Sequence, residues 1–209
     1  MIRILIADDH SMVRRGLKET LQEEFHDVCF HEAGNWTELF REVKANNYNI
    51  IVSDLSMPGG NGLEMLKQLK QNFPKLPVLI LSMLPEDQYA LRVLKAGGSG
   101  YLTKESAPEE LINAVRKILN GRRYVSAAVT DMLVESLEEN SSKKLHETLS
   151  DREFDVLKLI ASGKTVSEIA DMLSLSITTI STFRARILSK MNLKNNAGIA
   201  LYAIENKLV

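Results

Sequence analysis

Ile50-Ile51-Val52-Ser53-Asp54-Leu55-Ser56-Met57-Pro58-Gly59 is the stretch on which the reading of this chain turns. A short apolar run closed at once by Pro-Gly reads as a buried strand that stops at a turn. In an open α/β sheet the functional side chains stand just beyond the carboxyl ends of the strands. Asp54 is expected at such an end. Taken alone it also fits an acid that merely opens a surface turn, so the rest of the chain has to decide.

Working outward, the same kind of run recurs. Ile2–Ala7 is expected as a first strand, followed by a helix with Val13, Leu17, Leu21 and Phe25 four apart on one face. Val28–Ala33 is a second strand, and Asn35-Trp36-Thr37-Glu38 has capping-box spacing before a helix burying Leu39, Phe40 and Val43. After the third strand comes a helix from Gly62-Leu63 showing Leu66, Leu69 and Phe73. A fourth strand spans 77–82, a helix about 85–96, and a short fifth strand 101–103 follows the break at Gly97-Gly98-Ser99-Gly100. Ser106-Ala107-Pro108-Glu109 is expected to cap the last helix, which runs to Asn120-Gly121. Five strand–helix alternations, with strands three and four apolar on both faces, argue for a doubly wound parallel sheet covered by helices.

The polar residues that end these strands fall at one edge: Asp8, Asp9, Asp54, Ser82 and Lys104. Each has an individual excuse, such as Asp8 capping a helix or Lys104 lying on the surface. All five at one edge favour a site. Three neighbouring carboxylates repel, so a cation belongs among them, and hard oxygen donors without a His or Cys cluster select Mg²⁺. Lys104 and the Ser82 hydroxyl complete a pocket for a phosphoryl group carried on a carboxylate, with Asp54 as nucleophile. The glycine cluster at 97–100 lacks the strand-before, helix-after context of a dinucleotide or Walker loop. His10 is read as opening the first helix beside the acids rather than as a phosphorelay residue.

Asp8-Asp9, Asp54 with Met57-Pro58-Gly59 and Gly62, Ser82, Ala96-Gly97 and Gly100-Tyr101-Leu102-Thr103-Lys104 together resemble the receiver domain of two-component response regulators, a flavodoxin-like, CheY-like fold. The resemblance implies that Asp54 accepts a phosphoryl group from a sensor histidine kinase. It implies that Asp9, Asp54 and the Ser56 backbone carbonyl hold Mg²⁺ directly, with Asp8 helping through water. Ser82 and Lys104 would bind the phosphoryl oxygens, and Tyr101 would rotate as a switch. Met83 stands where the family has something smaller, and Ser56 and Leu84 stand where fast-hydrolysing relatives carry acids or amides. A narrowed entrance for small phosphodonors and a long-lived phosphorylated state are therefore expected.

The chain has 209 residues, 44% hydrophobic and 25% charged, with a formal net charge of -1, so it can bury real cores. Cys29 is the only cysteine and is read as a buried free thiol in a reducing compartment. No apolar run approaches the ~20 residues that span a bilayer, and the protein is expected to be cytoplasmic with no membrane partner. From 172 to 204 there is no acid, while Arg184, Arg186, Lys190 and Lys194 give that stretch +4, suited to approaching phosphates.

Residues 1–121 are accordingly read as one domain, 122–145 as a mildly helical segment (127–137) plus a polar linker at 138–144, and 146–209 as a small all-α domain. In the last, Ser150-Asp151-Arg152-Glu153 and Thr165-Val166-Ser167-Glu168 are capping boxes. Gly163 stops the first helix, and a turn at Ser174-Leu175-Ser176 leads into a helix over 177–191. Two short helices about a tight turn suit a helix-turn-helix. On a helical wheel Ile177, Ile180, Ile187, Leu188 and Met191 share the arc expected to face the core. Thr178, Ser181, Thr182, Ala185, Arg186 and Ser189 form the opposite arc, small enough for close approach to base edges. Lys190 and Lys194 lie at its margin, placed for phosphates, and Arg184 is expected to pair with Glu153 or Glu168.

Leu149-Ser150, Arg152-Glu153, Val156-Leu157, Gly163, Glu168-Ile169-Ala170, Leu175-Ser176, Thr179-Ile180 and Arg184-Ala185-Arg186-Ile187 resemble the LuxR-type DNA-binding domain. Joined to a receiver, this is the NarL/FixJ architecture, with Phe183 where relatives carry His or Tyr. It implies a transcription factor that dimerises when phosphorylated, through the helix at about 196–206, binds double-stranded DNA and acts with RNA polymerase. It would be no enzyme beyond assisting its own phosphorylation and slow dephosphorylation. An aspartyl-phosphate phosphatase is the rival, but that class wants a second acid where Ser56 stands. A regulator that binds DNA without phosphorylation is the third reading.

Overall fold

The apolar runs pair as parallel strands: β1 (Ile2–Ala7), β2 (Val28–Ala33), β3 (Ile50–Ser53), β4 (Val78–Ser82) and β5 (Gly100–Thr103), in the order β2-β1-β3-β4-β5. The computed structural model describes residues 1–138 and 144–209. Between the strands run α1 (Ser11–Glu24), α2 (Trp36–Ala45), α3 (Gly62–Asn72) and α4 (Glu86–Lys95); α5 (Pro108–Leu119) follows β5 and α6 (Ala127–Glu138) comes next. Strand alternation sorts the sheet into two faces. Ile4, Ile6, Ile50, Val52, Leu79, Leu81 and Leu102 cluster with Leu21 of α1 and Leu111, Val115 and Ile118 of α5. Leu5, Ile51, Ile80 and Tyr101, of opposite parity, are equally buried. Burial on both faces is what a parallel sheet between helix layers requires.

Local chemistry sets the helix starts. The Asn35 side chain accepts from the Glu38 amide, but Glu38 returns its own carboxylate to the Gly34 amide, so the expected box is reciprocal in part only. Ser106 does not cap α5. Pro108 stands in the first helical turn and the cap falls on Ala107, whose methyl group cannot hydrogen-bond. Gly62 is a glycine for want of space, since a Cβ there would collide with the Leu55 carbonyl oxygen. Cys29 is half-buried on the edge strand β2, more accessible than its apolar neighbours implied. No helix among the described residues is long and apolar enough to cross a membrane.

The chain divides into two units, Met1–Val134 and Glu135–Val209. The first continues past α5: the Tyr124 amide donates to the Ser99 carbonyl and its phenol donates to Glu110 at 2.6 Å. The expected linker at 138–144 falls mostly on residues 139–143, outside the described residues. The second unit holds a short 3₁₀ turn (Leu145–Thr148), then α7 (Asp151–Ala161), α8 (Val166–Leu173), α9 (Ile177–Lys190) and α10 (Asn196–Glu205). Both Ser150 and Thr165 make full reciprocal capping boxes, with Glu153 and Glu168. Phe154, Leu157, Ile169, Ile180, Ile187 and Ile199 make its core. The turn between α8 and α9 closes with Ser174 in the left-handed region, φ 54°.

Candidate functional site

The strand order reverses direction about β1 and β3, and the crevice beyond the carboxyl ends of such strands is where α/β sheets bind ligands. Backbone ladder bonds continue into that crevice and fix its residues. The Asp54 amide donates to Ala7 O at 2.8 Å, the Asp8 amide to Ala33 O at 3.1 Å, and the Lys104 amide to Ser82 O at 2.9 Å. The side chains then converge. Lys104 Nζ lies 2.6 Å from Asp8 Oδ2 and 2.8 Å from Asp54 Oδ2, with both carboxylates almost fully buried. Burial works against the ammonium, but Asp54 and Asp8 outweigh it and hold Lys104 above the ordinary lysine range. The second Asp54 oxygen accepts the Ser56 amide at 3.0 Å.

His10 opens α1 as the residue before its first turn, as expected, and brings its Nδ1 to 2.8 Å from Asp9 and 3.2 Å from Asp8. Asp8, Asp9 and His10 bring one ligand atom each to within 4.8 Å of one another. Asp54 stands apart from that group, drawn to Lys104 and the Ser56 amide. Minus three from Asp8, Asp9 and Asp54 and plus one from Lys104 leaves a formal minus two. Apart from the exposed His10 imidazole, the donors here are carboxylate oxygens, so the residues present fit a hard divalent cation.

Ser82 is fully buried, its hydroxyl 3.4 Å from the Leu84 amide. Tyr101 is also buried and donates to the Leu84 carbonyl at 2.6 Å. Burial raises the phenol's pKa most; a hydrogen bond with Ser82 works the other way and the nearby Asp54 charge adds to the rise. Met83 is 67% exposed beside the crevice.

One site residue escaped the sequence reading. Arg14 donates from Nη1 to the Asp8 carbonyl at 2.7 Å and from Nε to Glu32 of β2 at 2.8 Å, bracing the loop that carries the acids. Its neighbour Arg15 turns instead to Glu19 along the same helix.

In the second unit, Thr178, Ser181, Thr182, Ala185, Arg186 and Ser189 are all exposed along α9, and Lys194 is exposed beyond its end. Three expectations need correction. Ile177 does not face the core but is 57% exposed: as the first residue of α9 it lies ahead of Ile180, where the helix's core contacts begin. Arg184 pairs with neither Glu153 nor Glu168; its Nε donates to Asn196 Oδ1 at 2.6 Å. Lys190 takes the buried Glu153, at 2.6 Å, so its ammonium is turned onto its own domain and not free for phosphates as expected. Glu168 is occupied by its own cap.

A family model for the response regulator receiver domain matches residues 4–116, and one for bacterial regulatory proteins of the luxR family matches 147–203. The oxygen regulatory protein NreC of Staphylococcus epidermidis is 35% identical, the match covering 100% of this chain and 99% of that protein. The response regulator UvrY of Escherichia coli is 30% identical over 100% of this chain and 96% of the relative. Among solved structures, RcsB from Salmonella enterica serovar Typhimurium bound to promoter P1flhDC in the presence of phosphomimetic BeF3- shares 30% identity. It covers 96% of this chain and 97% of that one, with a TM-score of 0.61.

Proposed function

The chain belongs to the two-component response regulators of the NarL/FixJ family, a receiver domain with a LuxR-type DNA-binding domain, and from that premise we propose that Asp54 is its phosphoacceptor. The observation that carries this is Lys104 held between the buried carboxylates of Asp8 and Asp54 at the β1/β3 crevice. An Asp54 oxygen forms the new P–O bond as the P–N bond to a kinase's phosphohistidine breaks, and the released imidazole nitrogen takes up a proton. The Ser56 amide on Oδ1 leaves Oδ2 as the attacking oxygen. Lys104, already 2.8 Å from that oxygen, then follows the charge onto the phosphoryl group with the Ser82 hydroxyl. Asp8, Asp9, Asp54 and the Ser56 carbonyl are the residues that would hold Mg²⁺. That ion supplies charge neutralisation as the phosphoryl group approaches a site of formal minus two.

The added charge, about -1.5 to -2, biases a two-state surface read through Ser82 and Tyr101. The output is promoter binding by a phosphorylated homodimer, with α9 in the major groove and RNA polymerase as the machinery acted upon. Thr178, Ser181, Thr182, Ala185, Arg186 and Ser189 face the bases, and Lys194 the phosphates. The RcsB complex, in which DNA and a phosphomimetic occur together, supports this coupling. No reaction on an external substrate is proposed, since Ser56 stands where a phosphatase of this chemistry needs an acid.

The test is incubation with acetyl phosphate and Mg²⁺, comparing wild type with Asp54→Asn for mass gain and DNA affinity. Phosphorylation and tighter DNA binding by the wild type alone are expected. Equal DNA binding by both, with no mass gain, sinks the switch.

A further inference from the structure

Resting on the DNA-binding reading above, we infer that Ile177 is a specificity-determining residue that reads the 5-methyl group of a thymine in the major groove. The inference starts from a misfit. Ile180 and Ile187 of the same helix and Met191, which caps it, are buried to within 1%, yet Ile177 is left 57% exposed. It is the first residue of α9, directly after the Ser176 cap. Capping does not need it: the Ser176 hydroxyl already serves the Thr179 amide at 3.1 Å, and the positions a hydrophobic staple uses are Leu175 and Ile180. As a β-branched residue it adds nothing to helix propensity. An exposed isoleucine at this place therefore serves neither the core nor the helix.

A helix-turn-helix presents the N-terminal residues of its second helix to base edges, and Ile177 occupies that end. Its polar neighbours are partly committed to the protein. Thr179 Oγ1 and Ser176 Oγ bond each other at 2.8 Å, and Thr182 Oγ1 donates back to the Thr178 carbonyl at 2.9 Å. Of the cations on α9, Arg184 is bound to Asn196 and Lys190 to Glu153, which leaves Arg186 facing outward. Beside the exposed hydroxyls of Thr178 and Ser181, what the start of the helix offers the groove is therefore the branched apolar surface of Ile177. In the major groove the chemical group that matches it is the thymine methyl, which no other base carries.

The experiment enriches operators from random DNA with the full-length protein, with and without acetyl phosphate. Each thymine of the enriched half-site is then replaced in turn by deoxyuridine, which lacks only the methyl. Wild type is expected to lose about four-fold in affinity at one thymine per half-site, the worth of one buried methyl group. Ile177→Ala should lose the same factor on the thymine operator and match wild type on the deoxyuridine operator. Ile177→Val, which keeps the branch, should retain most of the discrimination and so separates lost contact from lost folding. The inference is overturned if Ile177→Ala weakens both operators equally, if it weakens neither, or if the half-site contains no thymine. Failure to enrich any operator would remove the DNA-binding reading itself, and this inference with it.

Discussion

At the carboxyl end of the sheet one ammonium serves two buried carboxylates, and single residues there carry unequal weight. Lys104→Met leaves Asp8 and Asp54 facing each other with their shared cation gone. Removing one partner of such an arrangement costs about 3 kcal/mol. The urea midpoint should fall accordingly, and added Mg²⁺ should restore much of the loss because it supplies charge where the lysine did. A midpoint unmoved by the substitution would show that the lysine does not stabilise the pocket. Arg14 acts one step further out. Arg14→Ala should weaken Mg²⁺ binding about ten-fold through the unbraced Asp8 loop, while Arg15→Ala should leave it unchanged. Trp36, the only tryptophan, is buried and donates its amide to Pro58 in the loop after β3, so its fluorescence can follow the titration. Equal affinities in the two variants would dismiss the brace. The acids were legible in the sequence because an acid ending an apolar strand is conspicuous by residue type. Arg14 was not, because it and Arg15 are identical residues side by side. Only the placement of β2 and Glu32 against α1 tells them apart.

The elements were legible where local chemistry decides them and illegible where reach does. Ser150 and Thr165 were recognisable as caps because an acid follows each at the reciprocating position. Ser106 misled because Pro108 pre-sets the first turn and moves the boundary past it. A helical wheel assigned Ile177 to the core by angle alone, although a core has finite length along a helix as well as width. The same wheel gave the buried acid to Arg184, when the side chain that spans the gap is Lys190. That Glu153–Lys190 pair joins the cap of α7 to the last turn of α9. Burial pushes the Glu153 carboxyl up, but its bonds from Lys190 and Ser150 outweigh this and leave its pKa below the ordinary value. The unfolded chain therefore binds the proton more readily than the folded one. The pair's contribution is present above the unfolded value of about 4.3 and disappears as pH falls through the lower folded value. Glu153→Gln should cost about 2 kcal/mol at neutral pH, the worth of a hydrogen bond to a charged group. The gap between variant and wild type should shrink as pH falls below the unfolded value and close only once pH has passed the lower folded value. Hydrogen exchange of the α9 amides reads it, and a gap independent of pH would mean that charge has no part in holding α9.

For the whole molecule, on the proposed reading, the question is how long a phosphoryl group on Asp54 would last, since that would set how long a DNA-bound state persists after the kinase falls silent. Hydrolysis needs a water aligned opposite the P–O bond, and an acid or amide beside the pocket is the means of holding one. Ser56, two residues after Asp54, is exposed and short. Leu84, two residues after Ser82, has no polar side chain, and its carbonyl is already occupied by the Tyr101 phenol. Met83, between Ser82 and Leu84, is exposed and carries no acid or amide to hold a water. Nothing at these positions orients water, so phosphate release from the Mg²⁺-bound, phosphorylated chain should take minutes or longer. Ser56→Asn places an amide where the serine stands and should shorten the lifetime without removing Asp54 or Lys104. Promoter occupancy, followed after the phosphodonor is withdrawn, should decay at the rate of phosphate release in both proteins. A wild-type half-life of seconds would show that water finds its alignment without these side chains. Occupancy outlasting the phosphate would place the memory in the DNA-bound dimer instead of in Asp54.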